Sequence, residues 1–136
     1  MKVMIVVRGH ASCGKSSSIK QAYKKLCDPA KDTDEGDVCE HIDTPWGLIG
    51  FTSFGDYGNE IYEGNLKRLI NSGCKIIVTA CRTRGGTVEK VLEIAGENGY
   101  QIVWFSPCFC ETGNHAVLNE VNAAAIVQLI ERFALL

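Results

Sequence analysis

Residues 9–16 combine residue types and spacing that suit phosphate binding. They read GHASCGKS, with glycine, lysine and serine at the fixed positions of the pattern G-x-x-x-x-G-K-[ST]. In such a loop successive backbone N–H groups face the phosphate oxygens, the lysine neutralises their charge, and the serine hydroxyl ligates Mg²⁺. The two glycines allow a tight turn and a close approach that a Cβ would block. The pattern therefore predicts a site for a nucleoside triphosphate and Mg²⁺.

The segments on either side of this loop fit the same interpretation. An apolar run at residues 3–7 predicts a strand, and residues 17–26 predict a helix whose positive N-terminus points at the bound anion. The alternative is a loop that only caps a helix. The predicted nucleotide-binding residues are Gly9, His10, Ala11, Ser12, Cys13, Gly14, Lys15, Ser16 and Ser17.

On these residues the chain resembles the P-loop NTPase superfamily. The resemblance covers residues 3–26 and is only architectural beyond them. It implies a P-loop NTPase-like α/β fold that binds ATP or another nucleoside triphosphate with Mg²⁺. The chain departs from the pattern of the related GTPases, because Asp56-Tyr57-Gly58 is one residue short of D-x-x-G. Residues 79–82 read TACR, where a GTPase has N-K-x-D to select guanine. ATP is therefore the expected nucleotide.

A P-loop enzyme also needs an acid that holds Mg²⁺ directly or through water. Asp56 follows the third predicted strand and is the expected acid, so the predicted metal ligands are Ser16 and Asp56. The alternative is that Asp56 caps the helix predicted to start near residue 58, and the two roles are compatible. Glu60 is a weaker candidate for orienting an attacking water molecule.

Two arginines follow the fourth predicted strand, in the segment Arg82-Thr83-Arg84-Gly85-Gly86. A guanidinium group binds phosphate or carboxylate with two parallel hydrogen bonds, so these side chains suit the charge of a transferring phosphoryl group. The alternative is a solvated turn before a helix. Thr33 is a weak candidate for a switch threonine that contacts Mg²⁺. The predicted catalytic residues are Lys15, Asp56, Arg82 and Arg84.

The hydrophobic pattern predicts the elements that must position these residues. Strands are expected at residues 2–8, 38–43, 47–54, 75–81 and 101–105, and helices at residues 15–27, 58–72, 87–98 and 115–134. The short link at residues 43–47 predicts an antiparallel hairpin, and the continuous apolar run at residues 75–81 predicts a buried parallel strand. The expected fold is a three-layer α/β/α sandwich with a mostly parallel five-stranded sheet and one antiparallel edge strand.

Length and charge limit the class of protein. The chain has 136 residues and a net charge of −2, which favours one nucleotide-binding domain over residues 1–136 and gives no sign of a nucleic-acid partner. The first strand begins almost at Met1, and no uncharged apolar run is long enough to span a membrane. We therefore expect no signal peptide, no membrane contact and a cytoplasmic location.

The seven cysteines are expected to be reduced, because their number is odd and no export signal is present. Most lie in or beside predicted strands, where cysteine behaves as a small buried apolar residue. Cys108 and Cys110, with His115 nearby, form at most a metal-site fragment whose spacing matches no standard zinc pattern. Cys13 lies beside Lys15 at a predicted helix N-terminus, which favours the thiolate and allows a redox-sensitive site; the alternative is a tolerated loop residue.

Three functions remain open from the sequence. The first is a Mg²⁺-dependent NTPase that cleaves the γ-phosphate, and the second is a small-molecule or nucleotide kinase. The third is a nucleotide-gated switch without catalysis, in which binding orders residues 28–37 and signals to a protein partner. The oligomeric state is also open, since Trp46 at a predicted hairpin tip suits either an interface or local packing.

Overall fold

The computed structural model describes residues 1–10, 13–27, 36–54, 59–83 and 86–136. The strands are β1 (Val3–Arg8), β2 (Cys39–Thr44), β3 (Gly47–Thr52), β4 (Ile76–Cys81) and β5 (Gln101–Phe105). The helices are α1 (Lys15–Leu26), α2 (Asn59–Asn71), α3 (Gly86–Glu97) and α4 (His115–Ala134). Every described element has the type predicted from the sequence, and most bounds differ by only a residue or two.

The strands form one mixed sheet with the order β2-β3-β4-β1-β5. β1 pairs in parallel with β4 and β5, and β3 pairs in parallel with β4. β2 pairs antiparallel with β3 at one edge, because the turn between Thr44 and Gly47 allows only a hairpin. The prediction of a mostly parallel sheet with one antiparallel edge strand is confirmed.

β4 lies between β3 and β1, and all of its residues are buried. Its continuous apolar sequence predicted this position, since a strand buried on both faces has no solvent side to carry polar residues. The parallel strands all end at the same edge of the sheet. The segments that follow β1, β3, β4 and β5 therefore meet at that edge, which is where ligands bind in sheets of this kind.

Two hydrophobic cores lie on opposite faces of the sheet. Alternate residues of β1 supply them, with Val3, Ile5 and Val7 in one core and Met4 and Val6 in the other. Helices α1 and α4 cover the first core, and α2 and α3 cover the second. The sheet is thus held between two helical layers, and this packing fixes the end of β1 from which the loop to α1 starts.

The structure also shows where Trp46 and the cysteines lie. Trp46 is partly buried and packs against the first core, which supports local packing, while its role in an interface stays open. Five of the seven cysteines are buried, whereas Cys108 is exposed and Cys110 is partly exposed. Among the described helices, none is both long and apolar enough to cross a membrane.

Candidate functional site

Two glycines shape the loop between β1 and α1. Gly14 directly precedes α1 with a φ of 90°, in the left-handed region that favours glycine. A Cβ on Gly14 would lie 2.5 Å from Asn119 Oδ1, and a Cβ on Gly9 would collide with the Cys13 sulfur. The two fixed glycines of the sequence pattern therefore occupy two crowded points of the loop.

Lys15 is the first residue of α1 and is only 4% exposed. Its ammonium group donates hydrogen bonds to the carbonyl oxygens of Gly9 and His10, at 2.8 and 2.9 Å. A buried charge requires polar partners to offset its loss of hydration, and these carbonyls provide them. The lysine is thereby held against the loop, with its positive charge beside the N-terminus of the helix.

Ser16 connects the loop to the end of β3. Its hydroxyl donates to the Ser53 carbonyl oxygen at 2.9 Å. The Ser53 hydroxyl in turn donates to Asp37 Oδ1 at 2.9 Å and accepts from the Val38 N–H at 2.7 Å. Ser53 thus contacts both residues, and it is the link between the Asp37 carboxylate and the predicted metal ligand Ser16. The sequence analysis did not identify Asp37 as a site residue.

The end of β4 is joined to the start of the loop. The Gly9 N–H donates to the Cys81 carbonyl at 3.1 Å, and Arg82 comes next in the chain. The Arg82 N–H donates to the Thr87 hydroxyl in the first turn of α3 at 3.2 Å. Arg82 is thus placed at the edge of the sheet where the loop begins, and its side chain is exposed.

Arg8 adds a positive charge that the sequence analysis overlooked. Its Nη2 donates to the Thr83 carbonyl at 2.6 Å, and its guanidinium lies 5.1 Å from the centre of the Trp104 ring. Burial raises the pKa of the Cys81 thiol to about 11, and the charges of Arg8 and Lys15 act in the opposite direction. Both cations therefore lie near the end of β4, and Arg8 forms no salt bridge within the described part of the chain.

A cavity of about 320 Å³ opens beside the loop. One wall is the consecutive run of residues 13–17, which includes the N-terminus of α1, and the other wall comes from the β5–α4 segment and the start of α4. The lining residues of the second wall are Cys108, Phe109, His115, Leu118 and Asn119. The cavity therefore joins backbone N–H groups and a lysine on one side to a second wall that carries both apolar side chains, Phe109 and Leu118, and polar ones, His115 and Asn119.

Asn122 holds the β5–α4 segment in place. It is 1% exposed, accepts a hydrogen bond from the Cys108 N–H at 2.9 Å and donates one to the Cys108 carbonyl at 3.0 Å. One side-chain amide thus satisfies both backbone groups of a residue on the cavity wall. Asn119, one turn earlier on α4, contacts Gly14, so a single helix face fixes both walls.

Three rings lie together at the mouth of the cavity. Phe109 packs edge-on against His10 with ring centres 5.1 Å apart and lies 5.5 Å from the His115 ring. The His115 Nε2 is 3.1 Å from the Cys110 carbonyl. Phe109 is 38% exposed, so part of this apolar ring remains available to a planar ligand.

Several predicted residues are not among those described. Ala11 and Ser12 of the loop, Asp56, Arg84 and Thr33 lie outside the described residues. Glu60 is exposed in the first turn of α2. Of the predicted set, the structure brings Gly9, His10, Cys13, Gly14, Lys15, Ser16 and Ser17 to one site and places Arg82 after the strand that pairs with β1.

Among the described residues, Cys108 and Cys110 do not form a metal centre with His115. No group of three or more His, Cys, Asp or Glu side chains among them is arranged to hold a metal ion. The His115 ring instead contacts Phe109 and the Cys110 carbonyl. A Mg²⁺ site built from a hydroxyl, a carboxylate and phosphate oxygens needs no such cluster.

The thiols are expected to differ strongly in reactivity. A hydrogen bond from Thr112 lowers the pKa of Cys110, whereas burial raises the pKa of Cys74 and Cys81 to about 11. Because the thiolate is the reactive form, iodoacetamide at about pH 8 should modify Cys110 and spare Cys74 and Cys81 until the chain is unfolded. Peptide mass spectrometry measures the extent of labelling at each cysteine. Thr112→Val should slow the labelling of Cys110 and leave that of the other cysteines unchanged. Fast labelling of Cys81 in the folded chain would contradict this.

The residues that the sequence analysis missed lie on the second wall or touch the loop from another element. Asn119 and Asn122 are three residues apart on α4, so a shared helix face was the available signal. Asp37 and Arg8 carried no such signal, since their positions depend on strand pairing.

In comparisons with known proteins, no family model, no curated protein and no solved structure matches this chain.

Proposed function

We propose that this chain is a P-loop protein that binds a nucleoside triphosphate, preferentially ATP, together with Mg²⁺ and cleaves or transfers the γ-phosphate. One observation carries the proposal: the 320 Å³ cavity has the run at residues 13–17 as one wall. That run contains Gly14 in the left-handed conformation and the buried ammonium of Lys15. A loop that only capped α1 would not require a buried lysine facing back onto its carbonyls.

The chemistry of each wall assigns a part of the nucleotide to it. Backbone N–H groups in the first turn of α1 have no partner within the helix and face the cavity end, so they suit phosphate oxygens. Lys15 adds a charge-assisted hydrogen bond to the same phosphates. Phe109 and Leu118 offer an apolar surface for the base, and Phe109 has an exposed ring for stacking.

The residues around Ser16 fit Mg²⁺. Ser16 supplies a hydroxyl oxygen and Asp37 a carboxylate, both hard oxygen ligands, and Ser53 bonds to each of them. Asp56 stays a candidate from the sequence. The metal, when bound with the nucleotide, neutralises charge on the phosphate oxygens. Ser16 would ligate the metal through an oxygen lone pair while its proton stays hydrogen-bonded to the Ser53 carbonyl, and Ser53 would keep Asp37 nearby.

Transfer to an anionic small molecule is the second candidate, and Arg8 favours it. Arg8 has a guanidinium at the active edge with no carboxylate partner in the described chain, and Arg82 follows the neighbouring strand. Guanidinium groups at this edge suit a carboxylate or phosphate on an acceptor. ADP formation that requires an added acceptor supports this candidate, whereas steady phosphate release without one supports hydrolysis.

Calorimetric titration tests the proposal directly. The purified chain is titrated with ATP, GTP and a non-hydrolysable ATP analogue, in Mg²⁺ and in chelator. Saturable Mg²⁺-dependent binding with ATP favoured over GTP supports the site and its base preference, and binding without turnover makes the chain a nucleotide-gated switch. If no nucleotide gives a heat of binding, and equilibrium dialysis also detects no binding, the proposed nucleotide site is wrong. The NTPase, the kinase and the nucleotide-gated switch are then all excluded.

Ser16→Ala should weaken nucleotide binding only when Mg²⁺ is present. We expect a loss of about 10-fold in Mg²⁺, equivalent to about 1.4 kcal/mol, and little change in chelator. Asp37→Asn should behave in the same way if Asp37 contributes to the metal site. Asp43→Asn, which changes an exposed carboxylate on β2, is the matched control. If Mg²⁺ increases the nucleotide affinity of Ser16→Ala as much as that of the wild type, Ser16 does not ligate the metal.

A further inference from the structure

Asn119 carries a side-chain amide that is available to a ligand. It lies in the second turn of α4 and is one of the residues that line the cavity beside residues 13–17. Its carboxamide forms no hydrogen bond within the part of the chain that the structure describes. Asn122 differs, because both groups of its amide are bonded to the Cys108 backbone. Of these two asparagines, Asn119 is thus the one whose donor and acceptor remain for a molecule in the cavity.

The loop fixes which way this amide faces. The position that a Cβ would take on Gly14 lies 2.5 Å from Asn119 Oδ1 and 3.6 Å from Cγ, whereas the amide nitrogen is more than 4 Å away. A hydrogen on the Gly14 Cα points in this direction. An oxygen atom tolerates a C–H group as a neighbour, while an N–H group would collide with it. The acceptor of the amide therefore lies on the side of the loop, and the donor lies on the side away from it.

The chemistry of this amide limits the groups that it can bind. Its oxygen is an acceptor, so it repels phosphate oxygens and requires a donor from the ligand. In a complex of ATP with Mg²⁺ the donors are the 6-amino group of the base and the ribose hydroxyls. The surroundings favour the base, because Leu118 and Phe109 line the same wall and offer apolar surface to the faces of a planar ring. The amide is then placed beside the polar edge of that ring, which otherwise loses its water in the cavity.

We propose that Asn119 selects adenine in this cavity through hydrogen bonds to the polar edge of the base. The inference rests on the proposed nucleotide site and adds the residue that distinguishes one base from another. Adenine presents its 6-amino donor beside a ring nitrogen that accepts, and a carboxamide matches this pair with its oxygen and its N–H group. Guanine and hypoxanthine carry a 6-oxo acceptor instead. Because Gly14 holds the amide in one orientation, that oxygen meets the Asn119 oxygen, and two acceptors face each other without a hydrogen bond.

The affinities for ATP and inosine triphosphate, measured by calorimetry in Mg²⁺, test the proposal. Inosine triphosphate carries hypoxanthine, so it differs from ATP in the group at position 6. The wild-type chain should bind ATP about 10-fold more tightly, and Asn119→Ala should bind the two nucleotides within about 2-fold of each other. A general loss of affinity in the variant affects both nucleotides and cancels in the ratio. Gln128→Ala removes an exposed amide from the same helix and should keep the wild-type ratio. An unchanged ratio in Asn119→Ala overturns the proposal.

Asn119→Asp should shift the preference toward guanine. An ionised carboxylate only accepts hydrogen bonds, and guanine offers two adjacent donors, its ring N–H and its 2-amino group. The side chain keeps its size, so the contact with Gly14 is retained. The added charge weakens the binding of every triphosphate alike, so the readout is again a ratio. The affinity for GTP divided by that for ATP should rise about 10-fold or more over the wild-type value. A ratio that stays the same or falls contradicts the proposal.

Two further ligands separate a failure of this proposal from a failure of the nucleotide site. Inorganic tripolyphosphate has no base, so with Mg²⁺ it should bind the wild type and Asn119→Ala equally. If the wild type binds tripolyphosphate but does not distinguish ATP from inosine triphosphate, the phosphate site stands and the selection of adenine is wrong. If Asn119→Ala instead loses the ability to distinguish ATP from 2′-deoxy-ATP, the amide binds the ribose and the proposal is overturned. If the wild type binds none of these ligands, the proposed function fails and this proposal fails with it.

Discussion

Lys15→Met should reduce the affinity for nucleoside triphosphate by about 10- to 100-fold. Among the described residues that line the cavity, Lys15 is the only lysine or arginine, and loss of a charged hydrogen bond costs about 1.5–3 kcal/mol. Methionine keeps much of the side-chain volume, so the buried position is not left empty. The bonds to the carbonyls of Gly9 and His10 are also lost, and loop order falls with them. Calorimetry with ATP and Mg²⁺ measures the loss.

The control must separate binding from folding. Lys25→Met makes the same substitution on the same helix, but at an exposed position in its last turn, and should bind normally. Thermal unfolding of both variants should show a retained cooperative transition. Unchanged ATP affinity in a folded Lys15→Met chain would contradict the P-loop interpretation, because the lysine is the only charged residue among the fixed positions of the G-x-x-x-x-G-K-[ST] pattern.

Asn122→Ala is expected to have the largest effect on stability. The substitution removes two hydrogen bonds and leaves the Cys108 N–H and C=O without their partner, which costs about 2–4 kcal/mol in unfolding free energy. The β5–α4 segment then loses its attachment to α4, and Phe109 with it. We therefore expect weaker nucleotide binding in the same variant, although Asn122 is not on the cavity wall. Urea denaturation and calorimetry measure the two effects.

Two further variants separate the amide's roles. Asn122→Asp keeps an acceptor for the Cys108 N–H but places a carboxylate against the Cys108 carbonyl, so it should also destabilise the fold. Gln128→Ala removes an exposed amide from the same helix and should change the unfolding free energy by less than about 0.5 kcal/mol. An Asn122→Ala chain as stable as the wild type would mean that the Cys108 backbone finds water instead.

Much of the fold follows from local patterns. The hydrophobic periods predicted all described strands and helices, and the helix at residues 115–134 and the strand at residues 101–105 have the predicted bounds. The hairpin followed from the length of its turn, and the burial of β4 from its unbroken apolar run. At the fixed positions of the loop, Gly14 has the left-handed conformation that a tight turn favours, and Lys15 is buried against the loop, while their role in phosphate binding stays a prediction.

The sequence by itself determined the elements and the residues at the start of α1, because helix and strand periods, turn lengths and glycine positions act over a few neighbouring residues. The tertiary structure decided the strand order that places β4 beside β1, and only this order brings Arg8 to Thr83. It also decided that Ser53 joins Asp37 to Ser16, and that Asn122 holds Cys108. These contacts join residues far apart in the chain, so their geometry depends on how the two helical layers pack on the sheet.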